Sequence, residues 1–189
     1  MAQMTDAVAL AGTDSGQPLG IANNSSANSQ TGIGLVTEYA EVRTGIRDIL
    51  NANYNGDLNG LTWVNNPGIG SIYDGLVTGL TSDGSPLPRS SWVAQLREDY
   101  TTALEANSSS EFSAVIGDFS QILFGYRLGE VRVDMLPAGS ETDGTDTYNA
   151  VSDALMLMWV WVRMDLVCLR PTWFSVLKGL TTSYRPSIN

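Results

Sequence analysis

The chain of 189 residues is long enough for one domain, or two small lobes, around a sizeable core. Ten basic and twenty acidic residues give a net charge of −10, and without a basic run such a chain is a poor candidate for tight nucleic-acid binding. The sequence has no histidine and a single cysteine, which excludes the usual general base, an intrachain disulfide and a cysteine zinc site.

Other broad classes are also disfavoured. The apolar run at residues 154–162 is far shorter than the ~20 residues that cross a bilayer, so we expect no membrane association through a spanning helix. No basic region followed by an apolar core opens the chain, so no secretory signal is predicted. Cys168 lies in an apolar run and is interpreted as a buried core residue rather than a nucleophile.

The first segment predicts a short helix at residues 4–10, followed by the glycine-rich string GTDSGQPLGI at residues 12–21. A phosphate-binding loop is a weak alternative to a plain turn here, because the string has no lysine and no suitable helix follows. Residues 23–34 are rich in Asn, Ser, Gly and Gln and predict a mobile surface loop.

A helix is predicted next, because apolar residues recur at spacings of three and four. The stripe consists of Leu35, Tyr39, Val42, Ile46 and Ile49. Residues 61–65 then predict a short strand that ends in an Asn-Pro-Gly turn, and a glycine-weakened helix follows at residues 72–80. After a loop at 81–88, apolar spacing predicts another helix at residues 92–104.

Residues 114–135 predict two or three short strands joined by glycine turns. Apolar residues alternate along 122–126, and apolar and charged residues alternate along 130–135, which gives one apolar and one charged face. The loop at 137–147 carries Glu141, Asp143 and Asp146. These carboxylates could hold calcium, but their spacing does not match a helix–loop–helix site and solvated acids are commoner, so no metal site is predicted.

Residues 155–169 form the most apolar run and alternate on two faces. We predict one strand of about 50 Å, at ~3.3 Å per residue, with both faces largely covered. Arg163 and Asp165 fall on one face and are expected to pair with each other or with neighbours. Core packing is the preferred interpretation for Trp159 and Trp161. Arg170-Pro171 ends the strand, and a short helix is predicted at residues 173–177.

Three strings in order resemble the major capsid proteins of tailed bacteriophages, whose fold is shared with encapsulins. They are GTDSGQPLGI at 12–21, VIGDFSQILFGYR with the valine-rich strand that follows at 115–133, and the VRMDL to VLK segment at 162–178. The resemblance implies an α+β fold of mixed and antiparallel sheets with flanking helices, containing the axial domain and part of the peripheral domain.

The resemblance also implies a division of the chain. Residues 1–21 would be a peripheral-domain remnant and the loop into the axial domain, 22–134 an axial-like region, and 135–189 a long peripheral strand and exit helix. The N-terminal arm, the E-loop and the spine helix of such proteins have no counterpart in the sequence, which puts conventional self-assembly in doubt. Lys178, the single lysine, would lie in the exit helix, so no Lys–Asn crosslink is expected.

The function implied is that of a structural subunit of an icosahedral phage capsid. Copies would associate as pentamers and hexamers around five- and six-fold axes and enclose DNA, which an acidic chain would contact only weakly. Neighbouring subunits and a decoration protein are the expected partners, within a virion assembled in the host cytoplasm. No catalytic, cofactor or metal residues are predicted.

Alternatives remain open at this stage. One is an encapsulin-like compartment shell, and another is a decoration or protein-binding module. A third is an enzyme in which Asp118, Asp134 and Asp165 supply carboxylate pairs for glycoside hydrolysis, but no spacing in the sequence brings two of them together.

Overall fold

The computed structural model describes residues 2–15, 17–77, 85–104, 110–126, 132–142, 144–154, 156–161 and 164–181. The helices in this part of the chain are α1 (Ala2–Ala11), α2 (Ala40–Asn51) and α3 (Pro67–Asp74). The strands are β1 (Asn28–Gln30), β2 (Gly34–Leu35), β3 (Thr62–Asn65), β4 (Arg97–Tyr100), β5 (Glu111–Gly117), β6 (Ile122–Tyr126), β7 (Arg132–Leu136), β8 (Ser140–Thr142), β9 (Thr147–Asn149), β10 (Leu157–Trp161), β11 (Met164–Cys168) and β12 (Phe174–Thr181).

The chain divides into two compact units. Unit 1 comprises Met1–Leu123 and Leu166–Asn189, and unit 2 comprises Phe124–Asp165. Strands β6 and β11 pair with each other, and the division between the units falls within both of them. The assignment of three segments to axial and peripheral regions stays a prediction.

Unit 1 is built on a mixed six-stranded sheet with the order β1-β12-β5-β3-β4, and β2 also pairs with β12. Strand β12 runs antiparallel to β5 and parallel to β1 and β2. Strand β3 runs antiparallel to β5 and parallel to the edge strand β4. The sheet therefore joins segments from the beginning, middle and end of the chain.

The prediction of an exit helix at residues 173–177 is wrong, because most of this segment belongs to strand β12. The segment is extended because its side chains alternate between two apolar layers: Phe174 and Val176 enter one core cluster, and Leu177 enters the other. Lys178 accordingly lies on a central strand and is partly buried, rather than on a helix. The predicted end of the preceding strand near Arg170 is confirmed, since β11 stops at Cys168.

Two hydrophobic clusters cover the two faces of the sheet. One contains α2, α3 and the inward residues Trp63, Ile116 and Leu177. The other contains Leu10 of α1 and Ile21, together with neighbouring strand residues. Helix α2 lies so close to β12 that a Cβ atom added at Gly45 would be 3.0 Å from Ser175 Oγ. Unit 1 is thus a sheet with apolar packing on both sides.

Helix α2 agrees with the predicted stripe except at its start. Val42, Ile46 and Ile49 are fully buried, as the spacing indicates, but the helix begins at Ala40. Leu35 is 40% exposed and belongs to β2, which pairs with β12. The spacing of Leu35 therefore matched the helix by coincidence.

Two further predictions in unit 1 were wrong. Part of the polar segment at 23–34 forms β1 and β2, and the Asn28 amide donates hydrogen bonds to the carbonyls of Thr172 (2.7 Å) and Phe174 (3.1 Å). The helix predicted at 92–104 is instead a short 3₁₀ turn, Val93–Gln95, followed by β4. In both places pairing with a distant strand overrides the local pattern.

The predicted strand at residues 61–65 is confirmed as β3, but the Asn-Pro-Gly segment that was predicted as a turn is the start of α3. The Asn66 side chain accepts a hydrogen bond from the Gly68 N–H at 2.9 Å, and Pro67 occupies the first turn, where its missing N–H costs nothing. The helix ends at Asp74, so the predicted continuation through Leu76 is wrong. Residues 78–84 lie outside the described part.

Unit 2 consists of short ribbons. Strands β7 and β10 pair antiparallel over five residues, and β8 and β9 form a separate antiparallel pair. The run predicted as one strand from 155 to 169 contains β10 and β11, and residues 162–163 between them lie outside the described residues. The prediction that both faces of this run are covered is wrong, because Met158, Trp159 and Val167 are more than half exposed.

No helix in the described ranges is both long enough and apolar enough to pass through a lipid bilayer.

Candidate interaction surface

The glycine-rich string at residues 12–21 closes on itself through backbone contacts. The Gly20 N–H donates to the Gly12 carbonyl at 2.9 Å, and the Asn23 amide donates to the carbonyls of Ala11 and Gly12, both at 3.0 Å. A Cβ atom at Gly12 would collide with the Pro18 carbonyl, and one at Gly20 with the backbone of Gly12. This close approach explains both glycines through the fold alone.

The three aspartates proposed for a hydrolase lie on different elements. Asp118 accepts hydrogen bonds from the backbone N–H of Ser120 at 3.0 Å and from its hydroxyl at 2.6 Å, so it caps a 3₁₀ turn. Asp134 lies on β7 opposite Trp159, and Asp165 lies on β11. Asp118 has a structural role that accounts for its position.

The proposed calcium ligands fall only partly within the described residues. Glu141 lies on β8 and is exposed, Asp146 is exposed just before β9, and Asp143 lies outside the described part. Among the described residues, no group of three or more potential metal-ligating side chains comes together. The absence of a metal site stays a prediction.

Cys168 ends β11 and packs, partly buried, against the core cluster that contains Phe174. Burial raises the pKa of its thiol, which keeps the neutral form dominant at neutral pH. The geometry therefore fits a packing role, as the sequence predicted.

A charged cluster around Arg89 was not predicted from the sequence. The guanidinium contacts Asp74 of α3 and Glu98 of β4, both at 2.9 Å, and lies 5.6 Å from the centre of the Tyr39 ring. Burial, together with a hydrogen bond that the Tyr100 hydroxyl donates to Glu98, raises the pKa of Tyr100 to about 12. The cluster therefore links the edge strand β4 to the end of α3 and to the residue before α2, all within unit 1.

Several large apolar side chains that the structure describes in unit 2 are exposed on or next to the β7–β10 ribbon. Met158 pairs with Met135 across the ribbon, and Val133 lies two residues along the same strand, so these side chains share one face. Their exposures are 61%, 58% and 50%, and Met156, just before β10, is 67% exposed. We call Val133, Met135, Met156 and Met158 the methionine face.

A groove of about 600 Å³ borders the ribbon. It is lined by Leu136, Leu157, Met158, Trp159 and residues 139–141. Trp159 lies on the side of the ribbon opposite the methionine face and is 60% exposed. Trp159 was interpreted from the sequence as a core residue, and that interpretation is wrong. Both sides of the ribbon thus present apolar side chains to solvent, which is typical of surfaces that contact other molecules.

The fold of the chain resembles that of several solved structures, although its sequence matches no known family. No protein-family model matches the sequence, and no curated protein matches it. Among solved structures, a protein of Mycobacterium phage Adephagia matches with a TM-score of 0.62 at 14% identity, over 97% of this chain and 62% of that one. A protein of Mycobacterium phage Ogopogo matches with a TM-score of 0.60 at 15% identity, over 93% and 63%.

A third solved structure is a capsid, that of an empty GTA particle computed with C5 symmetry. Its TM-score is 0.58 at 12% identity, and the match covers 95% of this chain and 62% of that one. The chain has the α+β fold of these phage capsid structures. It spans a little over three-fifths of the length of the solved chains that it matches.

The exposed ribbon and the Arg89 cluster are the two features that sequence reasoning missed. The alternation in residues 155–161 was a correct signal for a strand, but it could not show whether partners within the chain cover the strand. The Arg89 cluster depends on contacts between residues 9 and 15 positions apart and carries no local pattern.

Proposed function

We propose that this chain is a structural subunit of the capsid of a tailed bacteriophage. Copies associate around five- and six-fold axes as pentamers and hexamers, and the resulting shell encloses DNA within a virion assembled in the host cytoplasm. The chain corresponds to the axial domain and part of the peripheral domain of the capsid fold. Its role is to form contacts rather than to catalyse a reaction.

One observation carries this proposal: the fold of nearly the whole chain matches solved structures that include a capsid. The exposed apolar ribbon of unit 2 supports it, because a shell subunit needs surfaces that become buried against neighbours. Each contact can be weak, because a subunit that contacts several neighbours at once is held in the shell by the sum of these contacts.

The negative charge of the chain makes DNA a weak partner. A net charge of −10 repels a DNA backbone, so contact with packaged DNA is weak and local. Other capsid subunits are the main partners, and a decoration protein bound to the outside of the shell would be an additional one.

Electron microscopy of the purified chain, together with sedimentation velocity over a range of concentrations, tests the proposal. We expect rings, pentamers, hexamers or closed shells whose fraction rises with concentration. A chain that stays monomeric at high concentration and also shows glycoside hydrolase activity would refute it. The variant Asp118→Asn is a useful comparison, because it removes a carboxylate that would matter for hydrolysis and should leave assembly unchanged.

A further inference from the structure

We infer that Asn55 is a site of spontaneous deamidation, and that the fold protects Asn59 in the same segment from this reaction. The inference goes beyond the proposed function and does not depend on it. It rests on the secondary structure and the backbone hydrogen bonds of the segment that joins α2 to β3.

The sequence contains two Asn-Gly pairs, and both lie in this segment: Asn55-Gly56 and Asn59-Gly60. Glycine hinders least the attack of its own backbone nitrogen on the preceding side chain, because it has no Cβ atom. All of these residues are exposed, and Asp57 lies two positions from each asparagine. Solvent access and the nearest carboxylate in the sequence are therefore alike for the two pairs.

The reaction needs only the chain and water. The backbone nitrogen of Gly56 loses its proton to water or hydroxide and attacks Cγ of Asn55. A bond forms between this nitrogen and Cγ, the bond from Cγ to Nδ2 breaks, and ammonia leaves with a proton from the solvent. Water then opens the succinimide ring and leaves either aspartate or, where the original peptide bond breaks, isoaspartate. One water is consumed and one ammonia is released, with no oxidation or reduction.

The pair Asn55-Gly56 is open to this attack in the described part of the chain. Both residues lie outside any helix or strand, and among the described residues neither the Asn55 side chain nor the Gly56 N–H makes a hydrogen bond. Packing explains the glycine: a Cβ atom there would collide with the Tyr54 side chain, whose ring meets Trp173 edge-on with centres 5.0 Å apart. The fold therefore requires a glycine directly after Asn55.

The pair Asn59-Gly60 is held in the 3₁₀ turn Leu58–Gly60. The Gly60 N–H donates to the Asp57 carbonyl at 2.9 Å, so the attacking nitrogen is already engaged. Ring closure also needs an asparagine ψ far from the values of about −20 to −30° that a 3₁₀ helix has. The turn must open before the reaction can start, and loss of this one hydrogen bond makes deamidation about fivefold slower.

Peptide mapping by mass spectrometry measures both sites in one experiment. Trypsin cleaves after Arg47 and Arg89 and at no position between them, so both pairs fall on one peptide and fragmentation identifies the modified asparagine. During incubation of the folded chain in neutral buffer, we expect Asn55 to deamidate at least about fivefold faster than Asn59. Incubation in urea removes the turn and should make the two rates nearly equal.

A pair of variants checks the assignment through the charge of the intact chain. Asn55→Gln should remove most of the gain in negative charge that ion-exchange chromatography detects during incubation, because the longer side chain must close a larger ring. Asn59→Gln is the matched control and should leave that gain unchanged, and circular dichroism checks that both variants fold.

Three results would overturn the inference. One is an equal or faster rate at Asn59 in the folded chain, and another is a gain in charge that Asn55→Gln leaves intact. The third is a ratio of rates that stays the same in urea, because local sequence rather than the fold would then set the rates. The comparison of the two sites in the parent chain decides the matter even if a variant does not fold.

Discussion

Units 1 and 2 use similar apolar residues with different outcomes. In unit 1, Trp63 lies on a six-stranded sheet with packing on both faces and is fully buried. In unit 2, Trp159 lies on a two-stranded ribbon and is 60% exposed. A two-stranded ribbon in water is marginally stable by itself, whereas a larger sheet covered on both sides is independently stable. Burial here depends on the number of layers around a strand rather than on its composition.

The largest expected effect comes from removing a core tryptophan in unit 1. Trp63 contacts Tyr73 edge-on with ring centres 4.8 Å apart, and Trp63→Ala should cost about 3–5 kcal/mol of unfolding free energy. Trp159→Ala should cost less than about 1 kcal/mol in the monomer, since most of that side chain is already in water. Urea unfolding followed by circular dichroism measures both. Equal costs would show that Trp159 is buried in solution and would remove the contrast between the units.

Two strand glycines, one in each unit, differ in how much room surrounds them for an added Cβ atom. A Cβ atom at Gly117 of β5 would collide with the Phe174 ring, so Gly117→Ala should cost about 1–3 kcal/mol. At Gly125 of β6 the nearest atom to an added Cβ is the Asp165 carbonyl oxygen at 4.0 Å. Gly125→Ala should be neutral or slightly stabilising. Chemical denaturation of both variants checks this, and a large loss at Gly125 would contradict the open surroundings described for unit 2.

These contrasts also show what could be read from the sequence. The strand β3 was predictable because its signal is a short local run. Asn66 and Pro67 are strong local signals for the start of α3, but they were interpreted as a turn. The stripe of α2 was predictable because periodicity is local. The methionine and tryptophan alternation in β10 correctly indicated a strand, but its exposure could not be read, because burial depends on partners elsewhere.

The failures have a common physical cause. Strand β12 looked like a short helix because a run of five residues, four of them apolar, fits either structure, and its partner β5 lies about 60 residues earlier in the chain. Strand β4 looked helical through the spacing of Trp92, Leu96 and Tyr100, yet its pairing with β3 decides its structure. The sequence predicted strands for the β7–β10 ribbon, but it did not predict that the ribbon is exposed.

A smaller effect is expected at the charged cluster of unit 1. Arg89→Ala leaves Glu98, whose side chain is only 14% exposed, without its guanidinium partner, and should cost about 1–2 kcal/mol. The matched control is Arg43→Ala, where both side chains of the ion pair with Glu38 are more than half exposed and the pair should contribute less than about 0.5 kcal/mol. Thermal unfolding of the two variants separates them. Equal shifts in Tm would show that the cluster adds nothing beyond an ordinary surface ion pair.

The smallest effect concerns the hydroxyl of Tyr73, and it appears only at high pH. Burial raises the pKa of Tyr73, and the nearby Glu41 carboxylate adds to the shift. Above pH 10 the tyrosine of an unfolded chain ionises while the folded chain keeps its proton, so this group lowers stability as pH rises from about 10. Tyr73→Phe should therefore change stability by less than about 1 kcal/mol at pH 8 and retain about 1 kcal/mol more than the parent at pH 11. Urea unfolding at the two pH values checks it. If the variant and the parent differ in unfolding free energy by the same amount at pH 8 and pH 11, the Tyr73 hydroxyl reaches solvent. The core of unit 1 would then be partly open to water at this position.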